Sequence, residues 1–258
     1  MIRFLIPILA LCVAALLSSC SKSEIPMKDD RLFELRVYYP HPGKLDALNN
    51  RFRDHTLAIF EKHGMEHVGY WLTEEDEPKL IYLIAFESKA AKDKAWKDFV
   101  DDPDWKAAYA NSIKDGKLVA RVDSTMLRTT DYSPAIVQIQ ANPERLFELR
   151  TYKATDGNLS HLDARFRDHT IDLFEKHGMT NLVYFHVAED EEGSEDTLIY
   201  LLAHKSRKER DANFGAFAKD PAWQEARAAS EAAAGGSLTQ PDGVKNVFLL
   251  PVDYSKIK

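Results

Sequence analysis

Alternation of apolar and polar residues begins at Leu32, with Phe33, Leu35 and Val37 on one side and Glu34, Arg36 and Tyr38 on the other. Period two over this length predicts a strand with two unlike faces. Pro42-Gly43 interrupts it, and from residue 45 to residue 63 the spacing changes, placing Leu45, Leu48, Phe52, His55, Ile59 and His63 on one stripe. That is the pattern of an amphipathic helix. Gly64 follows, where a left-handed C-cap costs glycine little. Strands are expected over residues 67–73 and 80–87, joined as a hairpin by the acidic turn that starts at Glu74. A helix over 89–100 comes next, then a shorter one with Asp102 as N-cap and Pro103 at its first position. A last strand covers 119–129. The order β-α-β-β-α-β is the split βαβ, or ferredoxin-like, pattern.

The whole pattern then recurs. RLFELR stands at 31 and again at 145, an offset of 114, and RFRDHTLAIFEKHGM at 51–65 returns at 165–179 as RFRDHTIDLFEKHGM. Only Leu57/Ile171, Ala58/Asp172 and Ile59/Leu173 differ between these two segments. The offset grows to 118 at LIYL (80 and 198) and 122 at Asp-Tyr-Ser (131 and 253), so the insertions fall in connections. One supersecondary unit is used twice, over 31–133 and 145–258, with 134–144 as linker. Both helices of such a unit cover one sheet face and leave the other bare, and the tandem copy can cover it. The expected fold is α+β: two ferredoxin-like βαββαβ repeats forming one intramolecular pseudo-twofold dimeric α+β barrel, with the chain as a monomer holding its own pseudo-dimer. Two independent units on a linker is the alternative.

A formal charge of −7 argues against nucleic acid and against a polybasic membrane patch. The first residues follow another rule: Arg3, an apolar run from Phe4 to Leu17, then Leu17-Ser18-Ser19-Cys20. This has the build of an export signal, and the tetrad resembles the bacterial lipobox, in which cleavage precedes a cysteine that carries the lipid. Residues 1–19 are read as signal peptide and 20–30 as a lipidated tether, with a plain secretory signal or an uncleaved anchor as the alternative. Membrane attachment would come only through acyl chains on Cys20. The protein is then an exported bacterial lipoprotein on the periplasmic side of a membrane, with Ser21 (not aspartate) favouring the outer one. Cys12 and Cys20 are the only cysteines, so no disulfide framework or thiolate metal site is expected.

Phe33-Glu34-Leu35-Arg36 with Tyr38, Pro42-Gly43-Lys44-Leu45, Lys62-His63-Gly64, Gly69-Tyr70-Trp71 and Asp102-Pro103-Asp104-Trp105 together resemble the NIPSNAP domain. The second copy departs from it, with Ala154-Thr155-Asp156-Gly157 for Pro40-His41-Pro42-Gly43 and Val183-Tyr184-Phe185 for Gly69-Tyr70-Trp71. The resemblance implies the dimeric α+β barrel fold and no particular reaction. Related barrels include cofactor-free monooxygenases and haem-handling enzymes, which is analogy at the level of fold.

Candidate chemistry sits first on the opening strands. If the apolar face packs on the helices, Glu34 and Arg36 face the barrel interior, met there by Glu148 and Arg150. Four such charges could bind a polar or anionic ligand or form a closed ion-pair network. Tyr38, Trp71, Tyr82 and Tyr152 could line the same pocket, or be core. His55 and His169 lie on the apolar stripe and read as core histidines; with Arg36 or Arg150 they would be the catalytic set of an enzyme. His63 and His177 sit at helix ends, where the dipole favours a cation. The acidic turns read as solvated hairpins. No metal spacing, nucleophile elbow or phosphate loop is present, so no metal and no cofactor is expected, with haem as the alternative. The leading expectation is non-catalytic binding of a small molecule or protein partner. A cofactor-free monooxygenase or haem-handling enzyme is the rival, and a structural protein with a filled barrel is the third reading.

Overall fold

The alternating segment is strand β1 (Leu32–Pro40) in a computed structural model that describes residues 29–141 and 143–258. The expected signal peptide and Cys20 lie outside the described residues. After β1 come α1 (Leu45–Arg51), a π-helical segment (Phe52–Thr56) and α2 (Leu57–Lys62), then β2 (Glu66–Thr73) and β3 (Leu80–Phe86). Helices α3 (Lys89–Asp101) and α4 (Pro103–Ser112) and strand β4 (Val119–Thr129) complete the first repeat. The second repeats this order: β5 (Leu146–Ala154), α5 (Leu159–Arg165), a π segment (Phe166–Thr170), α6 (Ile171–Lys176), β6 (Thr180–Val187), β7 (Thr197–His204), α7 (Arg207–Lys219), α8 (Pro221–Ala233) and β8 (Thr239–Pro251). Among the described residues, no helix is long and apolar enough to cross a membrane.

Within each repeat the strands are ordered β4-β1-β3-β2 and β8-β5-β7-β6, and the two sheets close into one eight-stranded barrel. The seams are β2 with β8 (Trp71↔Pro251 to Thr73↔Leu249) and β4 with β6 (Leu127↔Val187 to Thr129↔Phe185). Exchanging the repeats maps one seam onto the other, which is the pseudo-twofold. Closure leaves no free strand edge. The linker joins the packing: Ile136 and Ile139 lie on the barrel core, and Ile139 bridges to Ile257 near the C-terminus.

The faces of β1 are the reverse of the expectation. Phe33, Leu35 and Val37 point into the barrel with Trp71, Leu83, Phe147, Phe185 and Leu249. Glu34, Arg36 and Tyr38 point to the helices. A closed interior gives a charge no water and few partners, so the uniformly apolar face belongs there. The helix layer carries the indoles, hydroxyls and arginines that can satisfy the polar face. An eight-stranded barrel is just wide enough for side chains to fill, and the interior retains a void of only about 20 Å³, lined by apolar residues. Trp71 leaves its Nε1 unpartnered there. The two repeats fill this space differently. A Cβ on Gly69 would stand 2.1 Å from the Trp71 ring, whereas the second repeat combines Val183 with the smaller Phe185.

His55 and His169 are also placed differently from the expectation: both are exposed. In each π segment the hydrogen bond spans five residues (Leu57 N–H to Phe52 O, Ile171 N–H to Phe166 O). That inserts one residue into the helical turn and rotates the apolar stripe. Arg51, Phe52 and Thr56 are buried in the first repeat, Arg165, Phe166 and Thr170 in the second. The threonine hydroxyl donates to the carbonyl five residues back (Thr56 Oγ1 to Arg51 O, 3.1 Å; Thr170 Oγ1 to Arg165 O, 3.0 Å).

Candidate functional site

The charged residues of β1 and β5 form two separate networks, each beneath its own helix layer. Glu34, 1% exposed, accepts from Arg36 Nη1 (2.5 Å), Ser124 Oγ (2.7 Å) and Trp96 Nε1 (2.7 Å). Glu148, fully buried, accepts from Arg150 Nη1 (2.5 Å), from Arg210 through two nitrogens (2.8 and 2.7 Å) and from His204 Nε2 (3.1 Å). Burial pulls the Glu148 carboxyl upward, but the donors from Arg210 and His204 and the Arg150 charge outweigh it and hold it well below the usual range. Arg150 also donates to Tyr200 and Tyr152 (2.8 and 3.0 Å). Both carboxylates are fully answered, although Arg36 Nε and His204 Nδ1 are left without partners, and the barrel core separates the two clusters. The four charges expected to share one cavity do not meet, and Tyr82 and Tyr152 belong to the same helix-side layers.

The repeated Lys-His-Gly and Asp-Pro segments make a second construction. Asp102 caps α4 by accepting from Asp104 N (2.8 Å), and its other oxygen receives His63 Nε2 (2.7 Å) and Lys62 Nζ (2.8 Å) from the end of α2. Asp220 does the same with Ala222 N, His177 and Lys176 (2.9, 2.7 and 2.6 Å). The lysine and histidine donors hold both carboxyls well below 3.8. A third construction crosses between repeats: Arg53 forks onto Asp253 (both 2.8 Å) and Arg167 onto Asp131 (2.9 and 2.7 Å). In the same two tails, Ser255 Oγ accepts from Tyr70 N and Ser133 Oγ from Tyr184 N (2.9 and 3.0 Å). Each of the nearly identical segments at 51–65 and 165–179 therefore reaches the other repeat's tail through an exposed ion pair.

One cavity has the makings of a site. It measures about 280 Å³ and lies in the first repeat between α1 with its π segment, α4 and β4. Tyr38, Phe52, Trp105, Tyr109 and Val119 are among its walls, and Arg51 stands in it. Tyr109 and Val122, 40% and 38% exposed, sit at its mouth. Arg51 is 6% exposed, yet its one side-chain hydrogen bond goes to Ser112 Oγ (3.1 Å) and its Nε has no partner. No carboxylate lies within ion-pair distance of it among the described residues. Burial lowers its pKa, and the Trp105 and Tyr109 rings lie 5.3 and 5.5 Å from its guanidinium carbon. The walls offer π faces and two guanidinium groups, Arg51 and Arg121, but no carboxylate, imidazole or thiol. Haem alternatives built on His55 or His169 do not fit, because neither histidine reaches this cavity. Among the described residues no group of three or more His, Cys, Asp or Glu is arranged to hold a metal ion.

Of the residues singled out from sequence, only Tyr38 lines this cavity; Trp71 is in the barrel core. Arg51 escaped notice because a charged residue beside an apolar stripe reads as solvated. The usable signal was its recurrence as Arg165 in the same Arg-Phe-x-x-x-Thr setting.

Tandem ferredoxin-like repeats closed into one barrel, with the polar chemistry kept between sheet and helices, define the dimeric α+β barrel class within a single chain. The NIPSNAP family model matches residues 33–134 and 147–256, and the chain belongs to that family. Among solved structures it resembles a "putative monooxygenase" from Fusobacterium nucleatum (10% identity, 88% of this chain and 94% of that one, TM-score 0.58). It also resembles an anthrone oxidase-like protein (12%, 89% and 95%, TM-score 0.57). A NIPSNAP family protein of unknown function from Agrobacterium tumefaciens spans 43% of this chain with 98% of its own (21%, TM-score 0.37). At these identities the likeness of the first two is one of fold. No curated protein matches the chain.

Proposed function

We propose that the protein is a lipid-anchored binding barrel, exported on residues 1–19 and held to a membrane through Cys20. It takes a small organic ligand in the first repeat's cavity and does not transform it. The observation that supports the binding half is Arg51: a buried guanidinium without an acidic partner, in an aromatic cavity open at one end. Buried charges are ordinarily paired; Arg36 and Arg150 in this same chain obey the rule, while Arg165, the counterpart of Arg51, is like it without an acidic partner among the described residues. A group left unpaired beside open space is suited to a ligand. Proton transfer needs a base within hydrogen-bond reach of the reacting atom, and the walls supply none. The monooxygenase reading, supported by fold likeness alone, drew on His55 and His169, which are on the outer surface.

Thermal unfolding tests the binding half, using small aromatic acids, amides and alcohols with the mature protein and with Val122→Trp, which plugs the mouth. At least one compound class should raise the wild-type Tm and leave the variant's unchanged. Equal shifts in both proteins, or none with any class, would contradict it. Mass spectrometry of the mature N-terminus tests the anchor: an acylated Cys20 is expected, and an unmodified N-terminus beyond it would refute the claim.

A further inference from the structure

We infer that the ligand of this cavity is an organic monocarboxylate with a flat, apolar body of about one ring, bound through a salt bridge to Arg51. The inference rests on the reading of the cavity as a binding site and adds the chemistry of what it holds. Arginines elsewhere in the chain set the comparison. Arg36 and Arg150 are tucked under the helices, and each has a glutamate at 2.5 Å. Arg51 is as deeply placed, and the side chain that answers it is a neutral serine. Its planar fork matches a carboxylate's two oxygens.

The number of charges and the walls narrow the class. Arg121, the second cation of the lining, is paired with Asp123 (3.2 Å) and stacked on Tyr39. That leaves one uncommitted positive charge, which suits a monoanion better than a phosphate dianion. Phe52, Trp105, Tyr109 and Val119 present apolar or π surface, where a heavily hydrated inorganic ion gains nothing and an aromatic or short aliphatic body does. A volume of about 280 Å³ equals roughly nine waters at 30 Å³ each, room for a ring with a short acid side chain. The exposed edges of Tyr109 and Val122 would be covered by that body.

Titration calorimetry with 3-phenylpropanoate and its neutral near-isostere 3-phenylpropanamide tests this on the wild-type protein and on Arg51→Gln. The acid should bind the wild type about tenfold or more tighter than the amide, the scale of a charge-assisted hydrogen-bond pair. Arg51→Gln should bring the acid down to the amide's affinity and leave the amide unchanged. Equal affinities for acid and amide in the wild type would overturn the carboxylate assignment while the binding reading stands. Binding of neither compound at millimolar concentration would overturn both. The acid-to-amide ratio is read on the wild type, so a poorly folding Arg51→Gln does not blunt the test.

Discussion

In the first repeat Glu34 answers one arginine; in the second, Glu148 answers two and a histidine. The difference runs through both layers. Trp96, which donates to Glu34, is matched by Phe214, and Phe86 is matched by His204. Near the cavity Trp105 has its counterpart in Trp223, 5.2 Å from Arg165, but Tyr109 is replaced by Arg227, whose charge further lowers the Arg165 pKa that burial has already lowered. The bordering strand is rebuilt too. Val119 to Val122 corresponds to Thr239 to Val244, two residues longer, with Asp242 in the left-handed region at φ 55°. The repeats agree where helices and tails meet and diverge where a ligand would sit. The second repeat carries more ion pairs around its buried glutamate, but Arg165, like Arg51, has no acidic partner among the described residues.

Substitutions that move one repeat toward the other test this contrast, and the largest effect belongs to the charged networks. Glu148→Gln leaves Arg150 uncompensated in a buried setting and Arg210 with only the exposed Asp211, and should cost about 3–5 kcal/mol. Glu34→Gln strands one partly exposed arginine and keeps one acceptor oxygen, for either Trp96 or Ser124, so about 1–3 kcal/mol is expected. Urea unfolding measures both; equal losses would remove the distinction between the networks. Next comes the barrel filling. Gly69→Val alone drives a side chain into Trp71 and should cost about 1–3 kcal/mol or more. Gly69→Val with Trp71→Phe, the second repeat's own combination, should recover most of it. A double variant no better than the single would show that the interiors are not interchangeable.

The third contrast is one of pH. His67 accepts from the Tyr70 hydroxyl (2.5 Å) and donates to Leu57 O (3.0 Å) as a neutral ring, and burial lowers its pKa from 6.5. Asn181 makes the same two contacts in the second repeat, with Tyr184 and Ile171 O (2.5 and 3.1 Å). Below pH 6.5 the unfolded chain takes up a proton on His67 that the folded one resists, so this contribution is present above 6.5 and lost as pH falls toward the depressed value. His67→Asn should flatten that limb of the Tm-versus-pH curve; an unchanged limb would assign it elsewhere. The smallest effect is expected of the cross-repeat clasps. Arg53→Ala and Arg167→Ala remove exposed ion pairs and should each cost less than about 1 kcal/mol, with less at high salt. A loss above 2 kcal/mol would mean the clasps hold the barrel shut.

Much of the fold was legible in the chain. Alternation at Leu32–Pro40 gave a strand, the constant offset between RLFELR and RFRDHT gave the repeat, and the bare sheet face called for the partner that the second copy supplies. Which face of β1 turns inward was not legible, because period two distinguishes two faces without saying which one meets the other repeat. The π segments were hidden for a related reason: a 3.6-residue template places His55 under the helix, and the extra residue puts Thr56 there instead. Arg51, the last residue of α1, was hidden by its charge, which reads as solvated beside an apolar stripe. The site was therefore expected across the sheet from the repeated helix, and the cavity lies against that helix.

Four tryptophans stand in four different settings: Trp71 in the barrel, Trp96 on the Glu34 network, Trp105 in the cavity, and Trp223 at its counterpart in the second repeat. Their indole N–H signals in a ¹H–¹⁵N spectrum, followed during titration with 3-phenylpropanoate, report on all four at once. A saturable shift led by Trp105 is expected, with Trp71 and Trp223 nearly still. A shift led by Trp71 would put the site inside the barrel, and equal shifts of Trp105 and Trp223 would make the repeats alike; either result would contradict a single binding site in the first repeat.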